Sequence, residues 1–146
     1  MSIYKNAIDS VVIGVEDYNS KDARRLVSAA RNLVAGILLL VKHRLSQLSP
    51  AGSDEALIKD RVVPVKDTAG RVTWKGAGRK TVDVEQMRTR CGSLTINVDW
   101  KRVEKLVSHR NEIEHYFATT SQSAVRGLLA DSFIVIRDFL KSELQL

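Results

Sequence analysis

The strongest helical pattern in the chain lies at residues 26–48, which read LVSAARNLVAGILLLVKHRLSQL. The apolar residues recur at steps of three, four and one, as they do along one side of an α-helix. They are Leu26, Val27, Ala30, Leu33, Val34, Ile37, Leu38, Val41, Leu45 and Leu48. A helix-ending sequence, Ser49-Pro50-Ala51-Gly52-Ser53, follows directly. The pattern therefore predicts a long helix at the centre of a helical bundle.

Weaker helical patterns lie on both sides of this central helix. Residues 3–18 and 100–118 place apolar side chains at helical spacing, and a last apolar stripe runs from Val125 to Leu140. A short helix is predicted after Asp83, because Asp83 and Gln86 have the spacing of a capping box. Together these elements predict an all-α fold, namely a four-to-five-helix up-down bundle.

The segment from about residue 56 to residue 91 has a different pattern. Val62–Val65 and Arg71–Trp74 are typical of two short strands around a turn, and Lys75–Lys80 is typical of a basic, glycine-rich loop. The segment holds nine basic and four acidic residues, so most of the net charge of +6 is concentrated here. We therefore predict a small β-hairpin, inserted between the second and third long helices of a single domain that covers residues 1–146.

Length, charge and cysteine content narrow the class of protein. A chain of 146 residues is the size of one typical domain, and its net charge of +6 favours a polyanionic partner. The single cysteine, Cys91, excludes a disulfide framework and a Cys-x-x-Cys zinc site, and we expect no cofactor or metal. The longest apolar run, residues 33–41, is shorter than the about 20 residues of a membrane span. With no signal peptide at the N-terminus, the prediction is a cytoplasmic protein without a membrane contact.

The basic segment contains two features that could bind nucleic acid. The sequence Gly76-Ala77-Gly78-Arg79-Lys80 places cations beside a Gly-x-Gly, which suits a phosphate, but it lacks the full glycine pattern of a nucleotide site. A solvated turn is the simpler explanation, and a nonspecific contact to a nucleic-acid backbone is intermediate between the two. Trp74 and Trp100 could stack on bases, although a tryptophan at the first position of a helix is more often a core residue. The candidate nucleic-acid contacts in this segment are Lys75, Arg79 and Lys80.

A third candidate site lies in the helix predicted from residue 100 to residue 118. Asn111 and His115 are four residues apart, so only about 40° separates them around the helix. Arg110 is about 140° from His115, but its long side chain can reach toward the imidazole. A proton-transferring imidazole, a permanent cation and an orienting amide are the groups that metal-free phosphodiester cleavage requires. A solvated helix face has a similar composition and is the simpler alternative.

The pattern Arg110-Asn111-x-x-x-His115, on the third long helix, resembles the Arg-x(4–6)-His motif of the HEPN domain family. That family often places Asn, Asp or His after the arginine, and its helix order would cover all 146 residues. The resemblance implies a metal-independent ribonuclease of toxin–antitoxin or antiphage-defence type. It further implies that Arg110 and His115 are catalytic and that Asn111 supports them. The flanking residues His109 and Tyr116 are further candidate nucleic-acid contacts.

The resemblance also implies partners. Family members work as dimers that place both motifs in one cleft, so we expect a homodimer that acts on RNA, with an antitoxin or a larger defence-system partner. In one toxin subgroup, the residue two positions after the motif histidine is a tyrosine that a partner nucleotidyltransferase modifies. This chain has Phe117 at that position and Tyr116 directly after the histidine, so we do not expect this regulation. Two alternatives remain. One is a noncatalytic HEPN module that binds nucleotide or RNA or mediates docking, and the other is a basic helical protein that binds nucleic acid by charge alone.

Overall fold

The computed structural model describes residues 2–116 and 121–146, except for the side chains of residues 113–116. The elements of this part of the chain are α1 (Ile3–Tyr18), α2 (Arg25–Leu48), β1 (Lys59–Lys66), β2 (Val72–Thr81), α3 (Val84–Ser93), α4 (Trp100–Tyr116) and α5 (Gln122–Ser142). The prediction of an all-α up-down bundle is wrong, and the fold is mixed α/β. The reason is the length of the two strands, which comprise eight and ten residues and make the hairpin a major element.

The chain divides into two compact units. The first combines residues 1–40 with residues 97–146, and the second comprises residues 41–96, so that α2 begins in one unit and ends in the other. Most of the apolar stripe predicted in α2 is buried, namely Leu26, Ala30, Leu33, Val34, Ile37, Val41 and Leu45. The single domain that the sequence predicts for residues 1–146 stays a prediction.

Close approach of backbones joins α1 and α2 in the first unit. A Cβ atom at Gly14 would lie 2.7 Å from the Leu33 side chain, and one at Gly36 would lie 2.6 Å from Cγ2 of Val11. Both distances are too short for any side chain, so glycine at these two positions lets the helices pack against each other. The low helix propensity of Gly14 is thus offset by tertiary packing.

The C-terminal end of α1 also contacts α5. The rings of Tyr18 and Phe133 meet edge to face, with their centroids 5.3 Å apart. The guanidinium of Arg126 lies over the Tyr18 ring at 5.2 Å, and its Nη1 donates a hydrogen bond of 2.8 Å to the Tyr18 carbonyl oxygen. These contacts hold the end of α1 against α5, which in turn packs against α4.

The second unit contains the hairpin, whose strands pair in antiparallel register with Pro64 opposite Trp74 and Lys66 opposite Val72. The Asp67 carboxylate accepts hydrogen bonds of 2.9 Å from the amides of Ala69 and Arg71 and thereby closes the turn. Residues 75–80, which we predicted to be a loop, lie within β2. Their pairing with β1 overrides the low strand propensity of glycine.

Helix α2 meets, by length and composition alone, the requirement for crossing a membrane. Its most apolar window of 18 residues has a mean hydropathy of 1.4, and half of that window is buried inside the protein. A core helix of a soluble protein has the same properties, so this finding is weak evidence for a span. The cytoplasmic location stays a prediction.

Candidate functional site

Helix α4 carries the Arg-Asn-x-x-x-His pattern. The Asp99 carboxylate accepts a hydrogen bond of 3.2 Å from the Arg102 amide at the start of the helix. Because the Arg102 side chain also donates to Asp99, the pKa of this carboxyl lies below its usual value of 3.8. Val103 and Leu106 are buried and direct one side of α4 into the core. The helix is continuous to Tyr116, so the whole motif lies on one helix.

Arg110 and Asn111 are in contact. Nε and Nη2 of the half-buried Arg110 each lie 3.4 Å from Oδ1 of Asn111, which is exposed. The amide oxygen therefore faces the guanidinium, as expected for an amide that orients a cation. The distances are at the long end of the hydrogen-bond range, so the contact is weak and leaves the guanidinium free to bind an anion.

His115 and Tyr116 belong to the helical backbone of α4, but their side chains lie outside the described residues. Asn111 and His115 are one helical turn apart along this backbone, as the sequence predicts. The catalytic roles of Arg110, Asn111 and His115, and the RNA contact of Tyr116, stay predictions.

His109 lies in a groove between α4 and α5. Its Nδ1 is 3.2 Å from Oε2 of Glu112, and both side chains are partly exposed. The groove has a volume of about 340 Å³, and it is lined by Lys105, His109, Glu112, Ala124, Val125, Gly127, Leu128 and Asp131. The Glu112 carboxylate thus holds one nitrogen of the imidazole. We did not predict this pair, although a glutamate three residues after a histidine on a helix is a recognisable signal.

The three predicted cations of the hairpin all lie in β2 and are exposed. Nζ of Lys75 is 3.3 Å from Oδ2 of Asp54, and Nζ of Lys80 is 3.9 Å from Oδ2 of Asp60. Because both lysines are exposed, each pair contributes about 0–1 kcal/mol, which leaves the two ammonium groups accessible to a polyanion. Arg79 has no ion pair among the described residues, and its charge faces solvent.

Two other cations of the basic segment serve the fold instead. Nη1 of Arg90 donates hydrogen bonds to the carbonyl oxygens of Leu57 at 2.9 Å and Lys59 at 2.7 Å, and Nζ of Lys59 donates to the carbonyl oxygen of Gly78 at 3.0 Å. These bonds hold α3 and the two strands at the base of the hairpin. The nine basic residues of the segment are therefore not one uniform binding surface.

The glycine-rich sequence has a packing role. The amide of Gly76 donates a hydrogen bond of 2.7 Å to the carbonyl oxygen of Ser53, and a Cβ atom at Gly76 would lie 2.5 Å from the carbonyl oxygen of Asp54. Because its amide is already bonded, Gly76 cannot donate to a phosphate. The geometry thus disfavours a phosphate-binding loop, and the solvated turn is not observed either, because residues 76–80 are part of β2.

A buried polar cluster at the end of α1 was not predicted. Asp17 is only 4% exposed, and its carboxylate accepts hydrogen bonds from Arg25 Nε at 2.8 Å, from Ser28 Oγ, and from Asn32 Nδ2 at 3.2 Å. Burial alone would raise the pKa of Asp17, but the hydrogen bonds from Ser28 and Arg25 and the charge of Arg25 outweigh it and lower the pKa below 3.8. The partners are 8, 11 and 15 residues away, so no local sequence pattern reveals the cluster.

Metal-binding geometry is not found in the described residues, where no group of three or more His, Cys, Asp or Glu side chains could hold an ion.

Comparison of the chain with protein-family models, with curated proteins and with solved structures finds no match. The resemblance to HEPN domains therefore stays a prediction from the Arg110-Asn111-x-x-x-His115 pattern.

Proposed function

We propose that this protein is a metal-independent endoribonuclease of toxin or antiphage-defence type, with Arg110, Asn111 and His115 at its centre. The observation that supports the proposal is the contact between Arg110 and Asn111 on α4, one helical turn before His115. A guanidinium steadied by a neutral amide keeps its full charge, whereas one paired with a carboxylate would have little left for a phosphate.

The proposed reaction is transesterification followed by release of two RNA ends. The 2′-oxygen attacks the adjacent phosphorus, the bond from phosphorus to the 5′-oxygen breaks, and a 2′,3′-cyclic phosphate and a free 5′-hydroxyl are formed. One proton leaves the 2′-hydroxyl and another reaches the 5′-oxygen. His115 transfers one of these protons, for which an imidazole is suited near neutral pH, and Arg110 stabilises the charge on the phosphate oxygens.

A homodimer would supply the second proton-transferring group. Each chain contributes one His115, whereas the reaction uses an acid and a base. A symmetric dimer formed through α4 would bring two equivalent motifs to one RNA. An antitoxin or a defence-system partner, and a cytoplasmic location, belong to the same proposal.

The test is cleavage of a mixed RNA pool by the full chain in excess EDTA, with analysis of the product ends. We expect cleavage with 2′,3′-cyclic phosphate ends, and we expect His115→Ala to abolish it. Cleavage that disappears in EDTA, or that persists in His115→Ala, would contradict the mechanism. Light scattering on the same sample measures the oligomeric state, and a monomer at tens of micromolar would contradict the dimer.

A second candidate function is RNA binding without cleavage. It is favoured by a different observation, namely that Lys75, Arg79 and Lys80 are all exposed on β2. A wild-type chain that binds RNA and leaves every RNA intact would support this candidate. Binding should then weaken steeply as salt rises, because each neutralised phosphate releases counterions.

A further inference from the structure

One face of the hairpin carries an exposed tryptophan. Trp74 is 60% exposed and Val72, its neighbour on the same strand, is 63% exposed. Pro64 lies directly opposite Trp74, and Lys66 lies directly opposite Val72. Side chains of opposite residues in an antiparallel pair lie on the same face, as do those two apart along a strand. Pro64, Lys66, Val72 and Trp74 therefore form one surface, which we name the Trp74 face.

The Trp74 face is covered near Gly76, at the end of the hairpin away from the turn, and is exposed to solvent from Trp74 to the turn. Gly76, two residues after Trp74 and on the same face, is buried because the Ser53–Asp54 backbone lies against it. From Trp74 to the turn the face is exposed, and Thr73 and Val65 on the opposite face are exposed as well. A tryptophan normally buries a large apolar area, so one left open on a strand outside the core indicates a contact surface.

The charges around Trp74 indicate the chemistry of what binds there. Residues 61–80 contain six basic residues and one acidic residue, and that acid, Asp67, is paired with Arg71 at 3.4 Å. Lys66 is diagonal to Trp74 on the same face, which places their Cα atoms about 7–8 Å apart. Lys66 has no ion pair among the described residues. A flat aromatic surface next to unpaired positive charge matches a nucleobase with its phosphate.

We propose that Trp74 stacks on an unpaired base of single-stranded RNA, while Lys66 contacts the adjoining phosphate. The proposal rests on RNA as the ligand in the proposed function, but it is independent of cleavage at α4. Stacking of a base on an aromatic side chain is sequence-tolerant, since every base has a π face. The hairpin is then a binding site for unpaired RNA rather than for duplex RNA, in which the base faces are hidden.

The experiment follows Trp74 by fluorescence in the full chain carrying Trp100→Phe, which leaves Trp74 as the reporter. The ligand is a short 2′-O-methyl oligouridine, which cannot be cleaved by 2′-hydroxyl attack. We expect quenching by this oligomer but not by its duplex with a complementary strand or by inorganic polyphosphate. The wild-type chain and Trp74→Phe, which keeps Trp100, are titrated in parallel as references.

Affinities of variants test whether the aromatic side chain of Trp74 contributes to binding. We expect Trp74→Ala to weaken oligouridine binding about 5- to 100-fold and Trp74→Phe to keep most of the affinity. The exposed control Val65→Ala, on the opposite face of the hairpin, should stay within about twofold of the wild type. Unchanged binding by Trp74→Ala would overturn the stacking proposal and leave RNA binding intact. A loss of self-association in Trp74→Ala, without a loss of RNA affinity, would overturn it in favour of an interface between copies of the chain. If no RNA binds the wild type, both proposals fail, whereas quenching without cleavage would contradict only the ribonuclease.

Discussion

The dipeptide Arg-Asn occurs at residues 31–32 in α2 and at residues 110–111 in α4, and its asparagine has different surroundings in the two places. The amide nitrogen of Asn32 donates to the buried Asp17 carboxylate at 3.2 Å and to the Ser28 carbonyl oxygen at 3.0 Å. Asn111 is exposed, and its amide oxygen contacts the adjacent arginine. The asparagine of this dipeptide thus belongs to the packing of two helices in one place and to a solvent-facing polar site in the other.

The difference shows why a short motif has no meaning apart from its environment. Asn32 is one of three donors that satisfy a carboxylate which has little access to water, so its role is structural. Asn111 faces solvent, where the removal of its side chain leaves no buried polar group without a partner. A substitution in α2 should therefore change stability, and one in α4 should change function.

The largest expected effect is on cleavage, from Arg110→Ala. We expect the rate of RNA cleavage to fall by about 100- to 1,000-fold, because a group that stabilises transition-state charge is removed. The control is Arg137→Ala, since Arg137 is exposed and, like Arg110, contacts the next residue in the chain: its Nη2 lies 3.1 Å from Oδ1 of Asp138. Rates are measured on the same RNA pool in EDTA. Equal losses in both variants would assign the effect to surface charge rather than to the motif.

The second-largest expected effect is a loss of stability in the variant Asp17→Ala. We expect the free energy of unfolding to fall by about 3 kcal/mol, because Arg25, Ser28 and Asn32 all lose their shared acceptor. The control is Asp9→Ala, which breaks the exposed pair of Lys5 and Asp9 and should cost less than about 1 kcal/mol. Urea unfolding followed by circular dichroism measures both. A similar cost for the two variants would show that the Asp17 cluster is not structural.

The two asparagines give a direct test of the comparison. We expect Asn32→Ala to lower the free energy of unfolding by about 1–2 kcal/mol through loss of its hydrogen bonds. Asn111→Ala should change it by no more than about 0.5 kcal/mol, but should slow cleavage about tenfold by leaving Arg110 less well oriented. Unfolding and cleavage are measured on both variants, and the reverse pattern would exchange the two assigned roles.

The smallest expected effect is the pH dependence of the Asp17 contribution. The pKa of Asp17 in the folded protein is lowered from 3.8, so its ionised form favours folding. The contribution is therefore complete above pH 3.8 and is lost as the pH falls through the lower folded-state pKa. We expect the difference in unfolding free energy between the wild type and Asp17→Asn to shrink below about pH 4. A difference that stays constant to pH 2 would contradict the lowered pKa.

Helices were predicted more accurately than strands. The helix predicted at residues 3–18 is α1, and the capping box predicted at Asp83 and Gln86 is confirmed, with both of its hydrogen bonds formed. The hairpin was predicted at the right place, but its second strand extends through Lys75–Lys80, which we took for a loop. A helix is recognisable from residues three or four apart, whereas a strand is defined by its partner strand.

The candidate site was predicted in part. The spacing of Arg110, Asn111 and His115 follows from one helix and could be read directly, and the contact between Arg110 and Asn111 agrees with it. The pairing of His109 with Glu112, and the use of Arg90 to bind carbonyl oxygens, were missed. Charge counts treat all basic residues alike, although the N–H groups of Arg90 that donate to backbone carbonyl oxygens are not available to a ligand.

By itself, the amino-acid sequence determined where the helices lie, which residues share the helix of the proposed site, and where positive charge concentrates. These are local properties, which depend on side-chain spacing and capping within about one turn. The tertiary structure alone decided that Asp17 is buried, that Asn32 binds it, and that Gly76 packs against Ser53 and Asp54. Each of these contacts joins residues far apart in the chain, and only folding determines which side chains lose water and must find partners.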